Sequence, residues 1–431
     1  MKSKAVKALS SVTAFLLLAA FSVSVMSADA VTYSYRTKQI GEGSYHVFYE
    51  VKADGSDGSS YEFLSRTPSK VRKALELASK KQIDTINAMA YECPDVNHYV
   101  YIPTALENTA LGGDIYPAEA TDDIFDSFVS GLSSDVDVGY LKIESVADRY
   151  EKYFISDHHW NRYGSYEGYC DIVAMMQKNH PDFGEPRKIV EDYDFSVKLY
   201  GSIASEVRRM DYYDDFGVLD LGLPRHTLTR NTSVPYGGNT EFDTLVDNYL
   251  SGNYDKSRGY NHFMNFYQIP QKIEYPDNHT GRNLLMICDS FSTCVSEAIA
   301  SHFDTTYVRY VDSVIPKKID YADYLRENKI TDVLILQESA RVVSNIYGDS
   351  IKNINLYGES VHTLEQTEPE KLAGDVNGDG KINSKDISTM LKIIAGWNVE
   401  YIKDNSDYNG DGKFNSMDVF SMLVDSSKGI I

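Results

Sequence analysis

Asn283-Leu284-Leu285-Met286-Ile287-Cys288-Asp289-Ser290-Phe291-Ser292 passes from a nearly continuous apolar run into a polar turn, and a helical stretch, Val295 to His302, follows. A short run that is apolar on both faces is a strand buried on both sides, the habit of parallel sheets covered by helices. Downstream, Thr306-Tyr307-Val308-Arg309-Tyr310-Val311 reads as a strand, Tyr321 to Asn328 as a helix, and Thr331-Asp332-Val333-Leu334-Ile335-Leu336 as a strand. Upstream, Val71, Leu75, Leu77, Ile83 and Ile86 fall near one face of a helix beginning about Ser69. His98 to Ile102 is a strand ended by Pro103, Thr121 to Leu132 a helix capped by Thr121, Tyr140 to Ile143 a strand and Gly168 to Gln177 a helix. Short alternating runs before Gly58, such as Tyr45-His46-Val47-Phe48-Tyr49, read as strands and loops. Strands alternating with helices predict an α/β fold of three layers, a parallel sheet flanked by helices.

The start of the chain reads differently. Lys2, Lys4 and Lys7 precede an apolar stretch from about Val12 to Val25, and Ala28-Asp29-Ala30 offers small residues at a cleavage site. This is the pattern of a secretory signal over 1–30, with a mature chain from Val31 that is exported and extracellular. No later apolar run is long enough for a membrane span. A formal charge of -21 disfavours nucleic acid and anionic surfaces as partners. Four cysteines, Cys93, Cys170, Cys288 and Cys294, read equally as disulfides of an exported protein or as free buried thiols. The many tyrosines read as half-buried packing rather than a sugar-stacking surface.

Two segments carry candidate chemistry: Ser156-Asp157-His158-His159-Trp160-Asn161, and Asp289-Ser290 where the apolar strand gives way to a helix. A serine at such a turn stands at the carboxyl edge of a parallel sheet, with its own N–H and a helix N-terminus available to an oxyanion. The hydroxyl needs a base to take its proton; His159 is the candidate, with Asp157 holding the other imidazole nitrogen. Ser290 or Asp289 reads equally as a helix N-cap. Asp157, His158 and His159 also read as metal ligands, but neighbouring side chains diverge and no further ligand at helical spacing is near, which disfavours zinc. No two carboxylates are placed to flank a glycosidic bond, which disfavours a glycosidase.

Near the C-terminus, Asp375-Val376-Asn377-Gly378-Asp379-Gly380-Lys381-Ile382-Asn383-Ser384-Lys385-Asp386 recurs as Asp407-Tyr408-Asn409-Gly410-Asp411-Gly412-Lys413-Phe414-Asn415-Ser416-Met417-Asp418. In both copies loop positions 1, 3, 5, 9 and 12 carry oxygen side chains and position 6 is Gly, the ligand spacing of an EF-hand calcium loop. The seventh position, Lys381 or Lys413, would supply its main-chain carbonyl. Asp at position 12, in place of the bidentate Glu of sensors, disfavours a calcium sensor. Each loop leads into an apolar helical stretch: Ile387, Met390, Leu391 and Ile394, then Val419, Phe420, Leu423 and Val424. Two structural Ca2+ ions are expected, supplying much of the folding free energy of so small a module. Thr363 to Leu372 is charged and short of apolar anchors, and reads as a linker.

The tandem loops resemble a type I dockerin over 373–431, a small all-α calcium-binding module. That resemblance implies docking onto a cohesin domain of a scaffold protein, as in cellulosomes, with partner recognition by Ser384, Lys385, Ser416 and Met417. Because Lys385 and Met417 differ, the two recognition faces are unequal. The Asp157-His158-His159-Trp160 string with the later Asp289-Ser290-Phe291 resembles the DHHW family, related to the SGNH-hydrolase-like proteins of alginate O-acetylation. Leu199-Tyr200-Gly201-Ser202, Arg208-Arg209 and Gln337-Glu338-Ser339-Ala340-Arg341 are compatible with it. The resemblance implies an SGNH-like domain over 31–362 in which Asp157 orients, His159 is the base and Ser290 attacks. Cys288 stands where that family has Gly, so its side chain is expected to crowd the turn or the oxyanion pocket. The expected function is removal of acetyl or related acyl esters from polysaccharide by a secreted, scaffold-bound esterase. O-acetyl transfer to a glycan and a non-catalytic carbohydrate-binding module are the alternatives.

Overall fold

In the computed structural model, Leu284, Met286 and Cys288 face one apolar layer and Leu285 and Ile287 the other, so this strand is buried on both sides. Each such fully buried aliphatic side chain contributes about 1.5–3 kcal/mol. The structure describes residues 21–26, 30–41, 44–54, 59–68, 72–115, 121–230, 234–237, 241–252, 270–310, 321–344, 373–377, 381–397, 399 and 401–427. The chain divides into two units, Met1–His362 and Thr363–Ile431.

The first unit begins with an antiparallel sheet of β1 (Phe21–Met26), β2 (Ala30–Gly41), β3 (Ser44–Asp54) and β4 (Ser60–Pro68), in that order. The leader expected over 1–30 includes β1, which forms the outer strand on β2. Helix α1 (Arg72–Glu92) leads to β5 (Asn97–Ile102); α2 (Ala110–Ile115) and α3 (Asp122–Gly131) precede β6 (Val136–Tyr140). Then come α4 (Val146–Lys152), α5 (Arg162–Met176), and the hairpin of β7 (Glu191–Leu199) and β8 (Asp214–Asp220), with α6 (Ser202–Val207) between its strands. After β9 (Thr227–Arg230), β10 (Val234–Gly237), α7 (Glu241–Leu250) and β11 (Gln271–Glu274) the chain enters its α/β half. That half runs β12 (Asn283–Cys288), α8 (Ser296–Ala300), β13 (Thr305–Tyr310), α9 (Tyr321–Glu327), β14 (Asp332–Leu336) and α10 (Ser339–Ser344).

The central sheet has the order β10-β9-β11-β13-β12-β14-β5-β6. From β13 to β6 every pairing is parallel, while β11, β9 and β10 extend the sheet antiparallel. One layer packs Tyr169, Ile172 and Val173 of α5 and Ile299 of α8 on the sheet; the other packs Ile86 and Met89 of α1, Phe128 of α3 and Tyr324 of α9. The expected three-layer α/β fold is therefore present, with antiparallel strands added at one edge. The strand expected over Tyr140–Ile143 lies earlier, at Val136–Tyr140, because Leu141 already turns away after donating to Ile102 O. Thr121 precedes α3 but makes no side-chain cap; its hydroxyl accepts from Asn108 Nδ2 at 2.6 Å instead.

The second unit contains α11 (Ser384–Ile394) and α12 (Ser416–Ser427). Its core is Val376, Ile387, Met390, Val419 and Met422. The expected linker, Thr363 to Leu372, lies outside the described residues.

Candidate active site and calcium module

β12 ends at Cys288, and the chain tightens into a 3-10 turn, Ser290–Cys294. Asp289 is the cap: its Oδ1 accepts from Phe291 N at 3.0 Å and its Oδ2 from Glu338 N at 2.9 Å. The cap thus falls on Asp289 and leaves the Ser290 hydroxyl free for other work. Ser290 Oγ lies 2.8 Å from His159 Nε2, and His159 Nδ1 lies 2.9 Å from Asp157 Oδ1. The three residues proposed from sequence are therefore brought into one hydrogen-bonded chain, although His159 and Ser290 come from distant segments.

Packing between those segments explains how they meet. Trp160 is fully buried, donates from Nε1 to Phe291 O at 3.0 Å and stacks edge-on against the Phe291 ring. Gly168 on α5 lets this indole approach, since a Cβ there would lie 2.5 Å from it. The hairpin end supports the carboxylate from the other side. Ser202 N donates to Asp157 Oδ2 at 2.7 Å, Ser202 Oγ to Oδ1 at 3.0 Å, and Gly201 N to Ser156 Oγ at 2.9 Å. Asp214 on β8 accepts from Ile155 N at 2.7 Å and Ser156 N at 3.0 Å, and Arg149 donates to Phe154 O and Asp157 O at 3.1 and 3.3 Å. Asp214 and Arg149 escaped the sequence reading, because nothing in their local pattern separates them from the other charged residues.

Electrostatics assign the protons. Burial pushes the Asp157 carboxyl up, but the His159 and His158 imidazoles and their hydrogen bonds outweigh it and hold the group well below the usual carboxylate range. Asp157 is thus an anion, and a proton on His159 Nδ1 would satisfy the 2.9 Å contact to it while leaving Nε2 toward Ser290. His158 is drawn to the same carboxylate, its Nδ1 2.9 Å from Asp157 Oδ1. Burial first, and then repulsion from His159, push it down to about 3, so it stays neutral. The expected divergence of the two imidazoles does not occur: their rings lie 4.0 Å apart. Together with Asp157 they form the one His/Cys/Asp/Glu group of metal-binding size among the described residues. The His159 nitrogens already face Asp157 and Ser290, an arrangement suited to proton transfer.

Three further carboxyls are shifted by burial. Burial pushes Asp214 up to about 6, Glu107 to about 7 and Glu338 to about 8. The Ser290 N–H is the first of its turn and donates to no acceptor among the described residues, the state in which a helix-type N-terminus can receive an oxyanion. Cys288 does not crowd it: the thiol is buried in the core and points to Arg309 O at 3.5 Å. Cys93, Cys170, Cys288 and Cys294 are all free thiols.

The C-terminal loops repeat one geometry. Asp386 Oδ1 and Oδ2 accept from Asn377 N at 3.2 Å and Asn383 N at 3.0 Å; Asp418 accepts from Asn409 N at 3.2 Å and Asn415 N at 2.8 Å. Both carboxylates are fully buried. In the second loop Asp411 N donates to Asp407 Oδ1 at 3.1 Å and Asn409 Oδ1 at 2.9 Å, so the early oxygens converge, and Gly410 and Gly412 take positive φ. This convergent all-oxygen donor set fits a hard cation. Asp407, Asn409, Asp411, Asn415, Asp418 and the Lys413 carbonyl would hold it there. Asp375, Asn377, Lys381, Asn383 and Asp386 occupy the matching places in the first loop, whereas Asp379 lies outside the described residues. Ser384, Lys385, Ser416 and Met417 are exposed at the starts of α11 and α12.

Fold and site together define an α/β body of SGNH-like architecture carrying a Ser–His–Asp arrangement, joined to a calcium-loop module. Residues 373–423 match the Dockerin type I domain family. No curated protein matches the chain. A DHHW family protein from Eubacterium siraeum DSM 15702 is similar in fold, with 19% identity and a TM-score of 0.50, covering 74% of this chain and 97% of that one. Bacillus cereus PatB1 with a sulfonyl adduct is similar at 15% identity and a TM-score of 0.51, covering 69% and 97%. The O-acetyltransferase domain of Pseudomonas putida AlgJ is more distant, at 9% identity and a TM-score of 0.37, covering 65% and 89%. A type I dockerin implies calcium binding, a cohesin partner and an extracellular, cellulosome-associated protein. Among the described residues no helix is long and apolar enough to cross a membrane.

Proposed function

We propose that the first unit is a serine-dependent acyl-transfer enzyme that removes acetyl or related acyl esters from polysaccharide. The supporting observation is the continuous Ser290–His159–Asp157 chain, at 2.8 and 2.9 Å. Ser290 Oγ attacks the ester carbonyl as His159 Nε2 takes its proton, and the Asp157 carboxylate stabilises the imidazolium that forms. The Ser290 N–H faces the developing oxyanion. Collapse passes the proton from His159 to the departing sugar hydroxyl and leaves acyl-serine; water, deprotonated by His159, then releases the acid. Glycan O-acetylation differs only in that a sugar hydroxyl takes the place of water.

The leader over 1–30 exports the protein, and the calcium-folded dockerin holds it on a cohesin of a cell-surface scaffold through Ser384, Lys385, Ser416 and Met417. The test is hydrolysis of aryl acetate and acetylated xylan by the full chain, with Ser290→Ala and His159→Ala. Both substitutions should abolish turnover, and a serine-directed phosphonate should label Ser290. Acetate release that survives Ser290→Ala removes the proposal; acetyl appearing on an added glycan instead of in water redirects it to transfer.

A further inference from the structure

β7 and β8 are joined by residues 200–213, and both ends of that connection close on the segment that carries Asp157 and His159. At the outgoing end, Gly201 N donates to Ser156 Oγ at 2.9 Å and Ser202 N to Asp157 Oδ2 at 2.7 Å. At the returning end stands Asp214, the first residue of β8 and the register partner of Leu199. Its Oδ1 accepts from Ile155 N at 2.7 Å, and its Oδ2 accepts from Ser156 N at 3.0 Å and from the Ser156 hydroxyl. Three donors on two oxygens suit a carboxylate, which only accepts, better than a carboxylic acid, which must also donate. Burial pushes the Asp214 carboxyl up to about 6 while these hydrogen bonds pull it down and Asp157 adds repulsion, so at about pH 7.5 the carboxylate prevails.

Ser156 is the link between Asp214 and the candidate triad. It is fully buried, its hydroxyl donates to Asp214 and accepts from Gly201 N, and its carbonyl accepts from Ala204 N at 3.1 Å. The residue before Asp157 is therefore held by its N–H, its hydroxyl and its carbonyl at once. Arg149 takes the carbonyls on either side, those of Phe154 and Asp157, at 3.1 and 3.3 Å. Buried main-chain groups of a tight turn have no ladder to satisfy them, so side chains must, and the turn keeps its shape only while they do.

We infer that Asp214 is a positioning residue of the acyl site, its carboxylate acting through Ser156 to set where Asp157 meets His159. The inference rests on the acyl-transfer reading above. It adds a side chain without which Ser290, His159 and Asp157 are present but misaligned, and a misplacement of about 1 Å costs about 100-fold in rate.

Steady-state hydrolysis of aryl acetate by the full calcium-loaded chain at about pH 7.5 tests this in Asp214→Asn, Ser156→Ala, the double variant and Asp215→Asn. In Asp214→Asn either orientation of the amide turns an NH2 group toward a main-chain N–H. kcat should fall by about 10- to 100-fold with KM within about twofold of wild type, a split that a loss of folded protein or of substrate binding does not produce. Asp215→Asn removes the same charge from an exposed neighbour and should behave as wild type. Ser156→Ala keeps both main-chain bonds to Asp214, should lower kcat less, and should add little on top of Asp214→Asn because the two act in one network. It also carries the test where Asp214→Asn does not fold, as read from Trp160 emission. Wild-type kcat in Asp214→Asn or in Ser156→Ala, a loss confined to KM, or effects that simply multiply in the double variant would each overturn the inference. A wild-type chain that neither releases acetate nor takes a phosphonate on Ser290 brings down the acyl reading and this inference with it, whereas an active wild type with an equally active Asp214→Asn brings down this inference alone.

Discussion

Gly201→Ala probes how the structure holds the Asp157 carboxylate of the proposed triad. A Cβ on residue 201 would lie 2.3 Å from Ser156 O and 2.6 Å from Asp157 Cβ. The first contact is with backbone, which cannot rotate aside, so the start of α6 must withdraw by about 1 Å to reach an ordinary separation of about 3.5 Å. Withdrawal stretches Gly201 N to Ser156 Oγ, now 2.9 Å, and Ser202 N to Asp157 Oδ2, now 2.7 Å. A neutral hydrogen bond is worth about 0.5–1.5 kcal/mol and one to a charged group about 1.5–3, so the expected loss is about 2–4 kcal/mol. Activity should fall more sharply than stability suggests, by about 100-fold in kcat/KM, because a misplacement of about 1 Å loosens the relay behind His159. The assays are guanidinium unfolding and aryl acetate hydrolysis. Emission from Trp160 reports this unit selectively, since Trp160 is fully buried while Trp397 of the other unit is 64% exposed. Gly113→Ala is the control: nothing lies within 4 Å of a Cβ there, so a gain of about 0.5–1 kcal/mol is expected. Wild-type stability and turnover in Gly201→Ala would show that the α6 start does not carry Asp157.

Calcium chelation should remove the helical signal of α11 and α12 while Trp160 emission stays unchanged; a fully helical dockerin in chelator would contradict the ion's structural role. Phe420→Ala and Leu423→Ala should weaken cohesin binding in surface plasmon resonance without altering calcium-dependent folding, because both side chains are exposed on α12, at 58% and 49%. The catalytic unit should be more stable near pH 5 than near pH 8. Asp214, Glu107 and Glu338 are raised to about 6, 7 and 8, so each favours the folded state most below its unfolded value and loses that contribution as pH rises through the folded one. Asp157, held low, acts oppositely and loses its contribution only in stronger acid. Differential scanning calorimetry across this range checks the sign. The four thiols should all react with a thiol reagent after unfolding without reduction, as expected of free cysteines.

The fold was legible where burial imposes a pattern. β12 has the bounds its apolar run suggests, and the helices between β12 and β14 follow from periodicity. The antiparallel edge of β9–β11 was not legible, since these strands are short and their pairing is set by partners far along the chain. The candidate triad was legible as residue types, but its assembly was not. Asp157 and His159 lie two residues apart, whereas the 2.8 Å contact to Ser290 spans a gap of 131 residues and depends on β12 lying inside the parallel run, between β13 and β14. The reading of His158 failed for a local reason. Divergence of adjacent side chains holds in extended backbone, but here Phe154 N donates to His159 O and Tyr153 bridges Trp160, folding the segment tightly enough for both imidazoles to reach one carboxylate.

That shared carboxylate leaves two imidazoles as candidate bases for the proposed reaction, and geometry favours His159. His158 has Ser202 Oγ 3.2 Å from Nδ1, and burial together with His159 pushes it down to about 3. That shift disfavours it as the acceptor of a nucleophile's proton in the proposed reaction. His159 presents Nε2 to Ser290 and rests its ring 4.7 Å from Phe291, in the same turn that Trp160 grips through the Phe291 carbonyl. Serine turn, imidazole and indole are therefore positioned by one packed unit. A substitution that frees Trp160 should separate nucleophile from base even though it touches neither the Ser290 hydroxyl nor the His159 Nε2 that receives its proton. In the proposed mechanism the tryptophan is a positioning residue, holding the Ser290 turn through Phe291 beside His159.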